Sequence, residues 1–428
     1  MTNRKRTLSR REQLKLVGMA GVAGVAGCLG GGGGDDGGDG QLKFVHLGTF
    51  DGEAEQFTAE FEENAEGVSM SHQQTPAQST SSREYYVNQF VAQSSGFDIG
   101  QMDVIWPAEF ADNSWITETE DPENHTDAML ETPVEAATID GTLYGMPLYT
   151  DANALYYRSD KLEEYGHEPP ETYTELVDIA QDVLAQDDEI QNGYIWQGGS
   201  NEGLTIMWLN WLWGMDGTVE QDDGLRVNTD KGVRALQHAV DLVHEYEVTP
   251  GNIPSSNTDG NRQTFQNGNT LFMRNWPYAV SVMNEDGSSV QDQFDVAPLP
   301  THQDYPDADN SCLGGWNVFI NQYSNNREAA QQFASYMASK EVQEALATEF
   351  SRLPVREDVY EDESIREEFP LLDTFAESLQ QTRARPAIAD YPTFSKIVYT
   401  EANKALIQDK SPQQALDDAQ SQIDDEIN

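Results

Sequence analysis

We expect the first forty residues to lie outside the packed core, which limits the part of the chain that can fold. A twin arginine, Arg10-Arg11, precedes an apolar run rich in Gly, Ala and Val that extends from Leu16 to Gly27. A charged start, a short apolar run and small residues at its end are typical of a removable export signal. The run is also shorter than the roughly 20 apolar residues that span a bilayer. We therefore predict that residues 1–27 are a twin-arginine signal.

The end of this run resembles a lipobox, the motif after which a lipoprotein is cut and lipidated on its new N-terminal cysteine. The motif is Val25-Ala26-Gly27-Cys28, and the residues from Gly30 to Gly40 are all Gly or Asp. Such a composition predicts a flexible tether. We expect residues 28–40 to hold the protein, through a lipid on Cys28, at the extracellular face of the cell membrane.

The chain is strongly acidic, with 74 Asp and Glu against 25 Lys and Arg and a formal net charge of −49. Such a charge opposes a compact fold at ordinary salt, whereas in molar salt the Debye length falls to roughly 3 Å and screens the repulsion. The acids are spread along the whole chain, which favours a halophilic surface and argues against nucleic acid as a partner. A disordered acidic protein is excluded, because 38% of the residues are hydrophobic and 10% are aromatic.

The length that remains after the tether is too great for one ordinary core, so we expect two lobes. No second low-complexity linker separates them, which predicts that the chain crosses between the lobes more than once. The coarse pattern is α/β, with strands expected at Leu42–Leu47 and Val104–Trp106. Helices are expected at Glu53–Asn64, Tyr173–Gln186, Leu204–Trp213 and Arg234–Tyr246, and from Ser411-Pro412 onward.

Common catalytic motifs are absent from the sequence, including GxxxxGK[ST], HExxH, GxSxG and CxxC. Paired carboxylates would suit a glycoside hydrolase, but among 74 acids such pairs arise by chance. After lipidation of Cys28 only Cys312 is left, so we expect no disulfide within the mature chain and no cysteine metal site. We expect neither a cofactor nor a bound metal.

Two tryptophans lie among turn residues and glycines. Trp276 is part of Arg274-Asn275-Trp276-Pro277-Tyr278, and Trp316 ends Leu313-Gly314-Gly315-Trp316. An indole is a flat apolar platform with a polar edge, which suits the C–H face of a pyranose ring. Adjacent glycines let the backbone approach a ligand closely. Aromatic residues are more often core than site, but these two contexts favour a binding site.

At these residues the chain resembles the solute-binding proteins of ABC sugar importers, and within them the archaeal trehalose/maltose-binding branch. The similarity extends over most of the chain that follows the tether. Its strongest stretches are Met102–Trp106, Met146–Ala152, Leu155–Arg158, Pro169–Tyr173, Trp196–Gly198, Arg274–Ala279, Val296–Pro300, Leu313–Trp316 and Arg385-Pro386.

The resemblance implies an α/β periplasmic-binding-protein fold of two interwoven lobes, with a ligand cleft at the hinge. Residues 41–149 and 313–355 would form the first lobe, and residues 150–312 and 356–428 the second. Hinge crossings are then expected near Leu148–Asp151, near Cys312–Gly314 and after Leu353-Pro354. The resemblance further implies a monomer that works with ABC permease subunits and a separate ATPase.

The resemblance also implies the ligand residues. Its early glutamate is either Glu53 or Glu55, and we favour Glu53. Asp103 would accept hydrogen bonds from sugar hydroxyls, and Arg385 would donate to them or fix a carboxylate. The other implied ligand residues are Arg83, Tyr149, Asp151, Trp276, Gly315 and Trp316.

The function expected from these observations is extracellular binding of an α-glucoside disaccharide, without catalysis, and its delivery to an ABC importer. A secreted glycoside hydrolase that acts on α-glucans is the alternative. An adhesive or structural surface protein is disfavoured, because the sequence has no internal repeats.

Overall fold

Two β-sheets with helices packed on them organise the chain. The computed structural model describes residues 41–222 and 224–428. The predicted signal, the lipidation of Cys28 and the tether lie outside the described residues. The strands of the two sheets are β1 (Gln41–His46), β2 (Ser69–Gln74), β3 (Ile99–Asp103), β4 (Met146–Asp151), β5 (Ala154–Arg158), β6 (Asn192–Ile195), β7 (Thr270–Asn275), β8 (Phe294–Pro298) and β9 (Gly314–Ile320).

Two-residue strands form small additional ladders outside these sheets. They are Thr138–Ile139, Thr142–Leu143, Glu220–Gln221, Gly224–Leu225, Ser311–Cys312 and Thr382–Arg383.

Helices occupy most of the connections between the strands. They are α1 (Asp51–Asn64), α2 (Ser79–Val91), α3 (Pro107–Asp112), α4 (Glu131–Ala137), α5 (Ser159–Tyr165), α6 (Tyr173–Gln186), α7 (Glu202–Trp213), α8 (Asp230–His244), α9 (Thr258–Gln266), α10 (Ala279–Met283), α11 (Arg327–Met337), α12 (Lys340–Phe350), α13 (Glu357–Tyr360), α14 (Glu363–Glu368), α15 (Leu372–Gln380), α16 (Tyr391–Leu406) and α17 (Pro412–Glu426). Short 3₁₀ turns lie at His125–Ala128 and Ile253–Ser255. None of the helices in the described ranges has the length and apolar character needed to cross a bilayer.

The first sheet has the strand order β2-β1-β3-β9-β4. Strand β1 is parallel to β2 and β3, whereas β9 is antiparallel to both β3 and β4. The carboxyl ends of β3 and β4 therefore lie at one edge, beside the start of β9. Ligands of open α/β sheets bind at such an edge.

The second sheet has the order β8-β5-β7-β6. Strand β7 is parallel to β6, and β5 is antiparallel to β7 and β8. Each sheet has its own hydrophobic core. The chain passes from the first sheet to the second between Asp151 and Ala154, and it returns between Pro298 and Gly314. The exact limits of the two lobes stay a prediction.

The helix ends follow local capping chemistry. Before α6, the Thr172 hydroxyl accepts a hydrogen bond from the Glu175 amide, and the Glu175 carboxylate accepts one from the Thr172 amide, which is a capping box. The last helix begins as predicted, with Ser411 as its N-cap and Pro412 in its first turn. Helix α7 is buried along its whole length, in agreement with its apolar sequence.

The strand expected at Val104–Trp106 is wrong. The strand is Ile99–Asp103, and the residues that follow it turn away, because the Trp106 amide donates to the Asp103 carbonyl oxygen at 3.0 Å. The apolar run misled the interpretation, since Trp106 is buried in the first core from this turn. The correction matters because it makes Asp103 the last residue of its strand.

Candidate functional site

A cavity of about 290 Å³ lies where strand ends of both sheets meet. Seven of the residues implied by the resemblance lie in its wall. They are Asp103, Tyr149, Asp151, Trp276, Gly315, Trp316 and Arg385. The structure thus brings these side chains together from distant parts of the chain, while their roles toward a ligand stay a prediction.

The first sheet supplies one wall through its strand register. Trp316 on β9 lies opposite Asp103 on β3 and opposite Tyr149 on β4. Residues directly opposite each other on neighbouring strands present their side chains to the same face. The indole of Trp316 is held edge-on against Trp106, with ring centroids 5.4 Å apart. A row of a carboxylate, an indole and a phenol therefore borders the cavity.

Glycine is required beside this row. Gly315 has a φ of +136°, and a Cβ atom there would come within 2.7 Å of the Tyr149 carbonyl oxygen. Both the backbone conformation and the space exclude a side chain. The close approach lets β9 pair with β4 beside the cavity.

The second sheet supplies Trp276, which directly follows β7. Its carbonyl oxygen accepts a hydrogen bond from the Tyr156 hydroxyl at 2.6 Å. The guanidinium of Arg274 lies 4.1 Å from the centre of the Trp276 ring. A Cβ atom on Gly314 would come within 2.7 Å of the same indole, so Trp276 contacts the start of β9. The two tryptophans of the cavity therefore come from different sheets.

Arg385 joins the two walls. It donates to Asp103 of the first sheet at 3.0 Å and to Glu202, the first residue of α7, at 2.8 Å. Ser79 also donates to Asp103, at 2.7 Å, and Tyr391 donates to Glu202, at 2.7 Å. Burial raises the pKa of Glu202, and the positive charge of Arg385 opposes that rise.

Arg352 is the second arginine in the lining of the cavity. It donates to Glu53 at 2.8 Å and to the Thr49 carbonyl oxygen at 2.5 Å. Its guanidinium lies 4.9 Å from the centre of the Tyr149 ring. Arg352 lines the cavity and Glu53 does not. Glu53 thus holds the arginine in place in this structure, and its predicted contact with a ligand has no counterpart in the lining.

Arg83 also lies outside the lining of the cavity. Its guanidinium is paired with Glu109, to which Nε donates at 2.7 Å. Helix α2 brings its first residues, including Ser79, to the cavity. Arg83 lies one turn farther along the helix and contacts α3 instead.

Asp151 has a buried side-chain oxygen without a hydrogen-bond partner. Among the predicted site residues that the structure describes, it alone has such an oxygen. Its Oδ1 is enclosed and makes no hydrogen bond, although Asp151 lines the cavity. Burial raises the pKa of Asp151 to about 7, with Arg352 lowering it and Asp103 raising it further. Buried polar atoms in folded proteins nearly always have a hydrogen-bond partner. This oxygen is therefore placed to accept a hydrogen bond from a bound ligand.

Sequence reasoning missed Glu202 and Arg352, both of which line the cavity. Glu202 is the only charged residue in the apolar stretch of α7, which is a signal that the sequence offered. Arg352 directly precedes Leu353-Pro354, where a hinge crossing was expected. Neither residue belongs to a recognisable short motif, because their partners are distant in the sequence.

Comparison with known proteins identifies the family. Residues 56–370 match the family model described as bacterial extracellular solute-binding protein. The chain belongs to this family. A probable ABC transporter-binding protein of Deinococcus radiodurans is 30% identical over 359 residues, which cover 82% of this chain and 84% of the relative.

Solved structures agree with this assignment. The maltose-bound MalE3 of T. maritima has a TM-score of 0.83 and 31% identity, and the match covers 89% of this chain and 98% of that one. A solute-binding protein of Thermotoga lettingae bound with α-D-tagatose has a TM-score of 0.81 at 24% identity, with 90% of this chain and 99% of that one covered. The predicted fold class, an α/β periplasmic-binding-protein fold of two lobes, is confirmed. Family membership also implies that the protein acts outside the cytoplasm.

The raised pKa of Asp151 predicts a pH-dependent gain from Asp151→Asn. The folded-state pKa lies near 7, above the usual 3.8, so this group makes the protein less stable as pH rises from about 4 to 7. At pH 8 the free energy of unfolding of the variant should exceed that of the parent by up to a few kcal/mol, since each pKa unit corresponds to about 1.4 kcal/mol. The variant should therefore unfold at a higher temperature. At pH 4, close to the usual pKa of an aspartate, the gain should fall below about 1 kcal/mol.

Thermal unfolding of both proteins at the two pH values is the measurement. Asp178→Asn, at an exposed position of α6, is the control and should show no such pH-dependent gain. A variant at Asp151 that is no more stable than the parent at pH 8 would contradict the assignment of a buried, costly charge.

Proposed function

We propose that this protein binds a small neutral sugar in the cavity between its sheets and delivers it to an ABC importer. The favoured ligand is an α-linked glucose disaccharide of the trehalose or maltose type. The T. maritima neighbour, which shares 31% identity with this chain, is bound to maltose. The name of the Deinococcus relative supports the link to an ABC transporter.

The observation that carries the proposal is the composition of one cavity. Trp276 and Trp316 enter it from different sheets, and Asp103, Asp151 and Glu202 lie in the same wall. Apolar platforms suit the C–H faces of sugar rings, while carboxylates accept hydrogen bonds from hydroxyls. A ring held between the two sheets would contact both kinds of group.

The charges of the cavity favour a neutral ligand over an anion. Its two arginines already have partners, since Arg385 is bound to Asp103 and Glu202, and Arg352 is bound to Glu53. An anionic ligand would have to compete with these carboxylates and would lie next to Asp151. Hydroxyl groups can donate to the same carboxylates without breaking the ion pairs.

A glycoside hydrolase remains the alternative, because such enzymes use a pair of carboxyl groups. Asp103 and Glu202 are candidates for that pair by position, but both bind the same guanidinium. That shared contact places a guanidinium between the two carboxylates, where a hydrolase would hold the glycosidic bond. The shared arginine therefore supports binding without catalysis.

The lobe limits, 41–149 with 313–355 and 150–312 with 356–428, belong to the same proposal. A ligand that contacts both lobes shifts the balance from an open to a closed form. The proposal also includes a lipid anchor at Cys28, export through the twin-arginine signal and a halophilic surface. A tether of the length 29–40 would have a reach of roughly 20 Å as a Gly-rich coil, and attachment at the membrane would raise the local concentration near the permease.

Calorimetric titration with a panel of sugars tests the proposal. At high salt, trehalose or maltose should bind saturably at one per chain, while an amino acid and a short peptide should not bind. The same sugars, incubated with the protein, should release no glucose on a catalytic timescale. Tight binding of an amino acid without any sugar binding would overturn the ligand class, and glucose release would favour the hydrolase.

Trp276→Ala and Trp316→Ala should each weaken sugar binding. Loss of an aromatic contact costs on the order of 0.5–1.5 kcal/mol beyond the lost buried area, so affinity should fall at least several-fold. Trp316 also packs on Trp106, and we expect its variant to lose some thermal stability as well. Calorimetry and thermal unfolding, run on the same samples, separate the two effects.

Trp115→Ala is the matched control, because Trp115 stacks on Phe90 in the first core and does not line the cavity. Its variant should lose stability but keep the affinity of the parent. Equal affinity in the parent and in both cavity variants would show that the tryptophans serve the cores alone.

A further inference from the structure

A second group of ligand-type side chains lies beside the cleft and takes no part in it. His46 is the last residue of β1, His72 lies on the neighbouring strand β2, and Asp51 is the first residue of α1. Strands β1 and β2 pair in parallel, with Phe44 opposite His72. His46 follows Phe44 by two positions, so both histidines present their rings to the same face of the sheet.

The three ligand atoms lie at distances that suit a shared metal ion. His46 Nε2 is 3.1 Å from His72 Nδ1 and 3.8 Å from Asp51 Oδ1, and His72 Nδ1 is 3.7 Å from the same Oδ1. A point equidistant from three atoms with these separations lies about 2.1 Å from each, which is the usual length of a bond from zinc to imidazole nitrogen or carboxylate oxygen.

The hydrogen bond on the far side of His46 prepares its ring as a ligand. His46 Nδ1 lies 2.9 Å from the Leu47 carbonyl oxygen. Because a carbonyl oxygen only accepts, Nδ1 must carry the proton, and Nε2 then presents a lone pair to the cluster. Histidines that bind metals commonly donate their other N–H to such a group, which fixes the tautomer and the ring orientation.

The burial of the three groups suits an ion that arrives from solvent. The His46 side chain is fully buried, whereas 29% of the His72 side chain and 48% of the Asp51 side chain are exposed. One ligand is thus fixed in the protein interior, and the open side leaves room for water as a further ligand.

We propose that His46, His72 and Asp51 bind one divalent transition-metal ion of the zinc class. Two imidazole nitrogens and one carboxylate oxygen favour Zn²⁺, Ni²⁺, Co²⁺ or Cu²⁺ over Mg²⁺ and Ca²⁺, which prefer oxygen ligands. No metal site was expected from the sequence, in which residues 46, 51 and 72 form no recognised motif. The pairing of β1 with β2 brings the two histidines together.

The ion would fasten one wall of the cleft. It would join the end of β1, the start of α1 and the neighbouring strand, and so would close both ends of the connection at residues 47–50. Leu47 and Thr49 of this connection line the cavity, and the Thr49 carbonyl oxygen accepts a hydrogen bond from Arg352. An ion bound only by the folded protein raises its stability.

Zinc titration of the full chain, purified without a polyhistidine tag and stripped with a chelator, tests the proposal. Excess Mg²⁺ in the buffer occupies weak carboxylate sites on this acidic surface. Calorimetry should show one tight Zn²⁺ site per chain, and Zn²⁺ should raise the unfolding temperature. Co²⁺ in place of Zn²⁺ should give a visible absorption band that reports the ligand set.

His72→Ala and Asp51→Asn remove one ligand each. Loss of a group that merely supports a metal ligand typically lowers affinity about 10–100-fold, so loss of a ligand should weaken Zn²⁺ binding at least about tenfold. Both positions are partly exposed, and unfolding temperatures without metal should stay near that of the parent. If one variant fails to fold, the other decides.

His167→Ala is the matched control, because the His167 side chain is 25% exposed and lies 2.8 Å from a single carboxylate, that of Asp182. It should bind Zn²⁺ as the parent does and give the same Co²⁺ band. The proposal is overturned if the parent shows no site at one equivalent. It is also overturned if the folded variants at the cluster bind as tightly as the parent, or if His167→Ala loses as much affinity as they do.

Discussion

The contact of Arg385 with Asp103 and Glu202 is the interaction on which the arrangement of the cleft depends. Asp103 ends a strand of the first sheet, whereas Glu202 begins a helix of the second hydrophobic core. All three side chains are buried. Removal of one member of a buried ion pair typically costs about 3–5 kcal/mol, because it leaves an uncompensated charge. The position of either wall is therefore coupled to the position of the other.

The same ion pairs determine which kind of ligand suits the cavity. The two arginines neutralise carboxylates, so they are not free positive charges, and hydroxyl groups are better suited than anions to the polar atoms that remain. Asp151 lies at the passage between the sheets and keeps one buried oxygen without a partner. Trp276 and Trp316 provide apolar surface from opposite sides. A ligand that satisfies all of these groups must contact both sheets, which is the condition for closure by differential affinity.

The sequence predicted the α/β class, the buried helix α7 and the capped last helix, because these depend on local patterns. Asp103 and Tyr149 were predicted from the resemblance and Trp316 also from its glycine-rich context, and the strand register explains why the three side chains lie together. Glu53 binds Arg352, and its contact with a ligand stays a prediction. Glu202, Arg352 and the cluster at His46 were missed, since each depends on partners that only the fold brings close.

Small-angle scattering at high salt, with and without a saturating disaccharide, tests most directly whether one ligand joins the two lobes. The bridge through Arg385 and the tryptophans on opposite walls predict a smaller radius of gyration when sugar is bound, as open molecules shift to the closed form. The change should saturate with the calorimetric binding curve. An unchanged radius of gyration under conditions where calorimetry shows full occupancy would contradict closure around a ligand shared by both lobes.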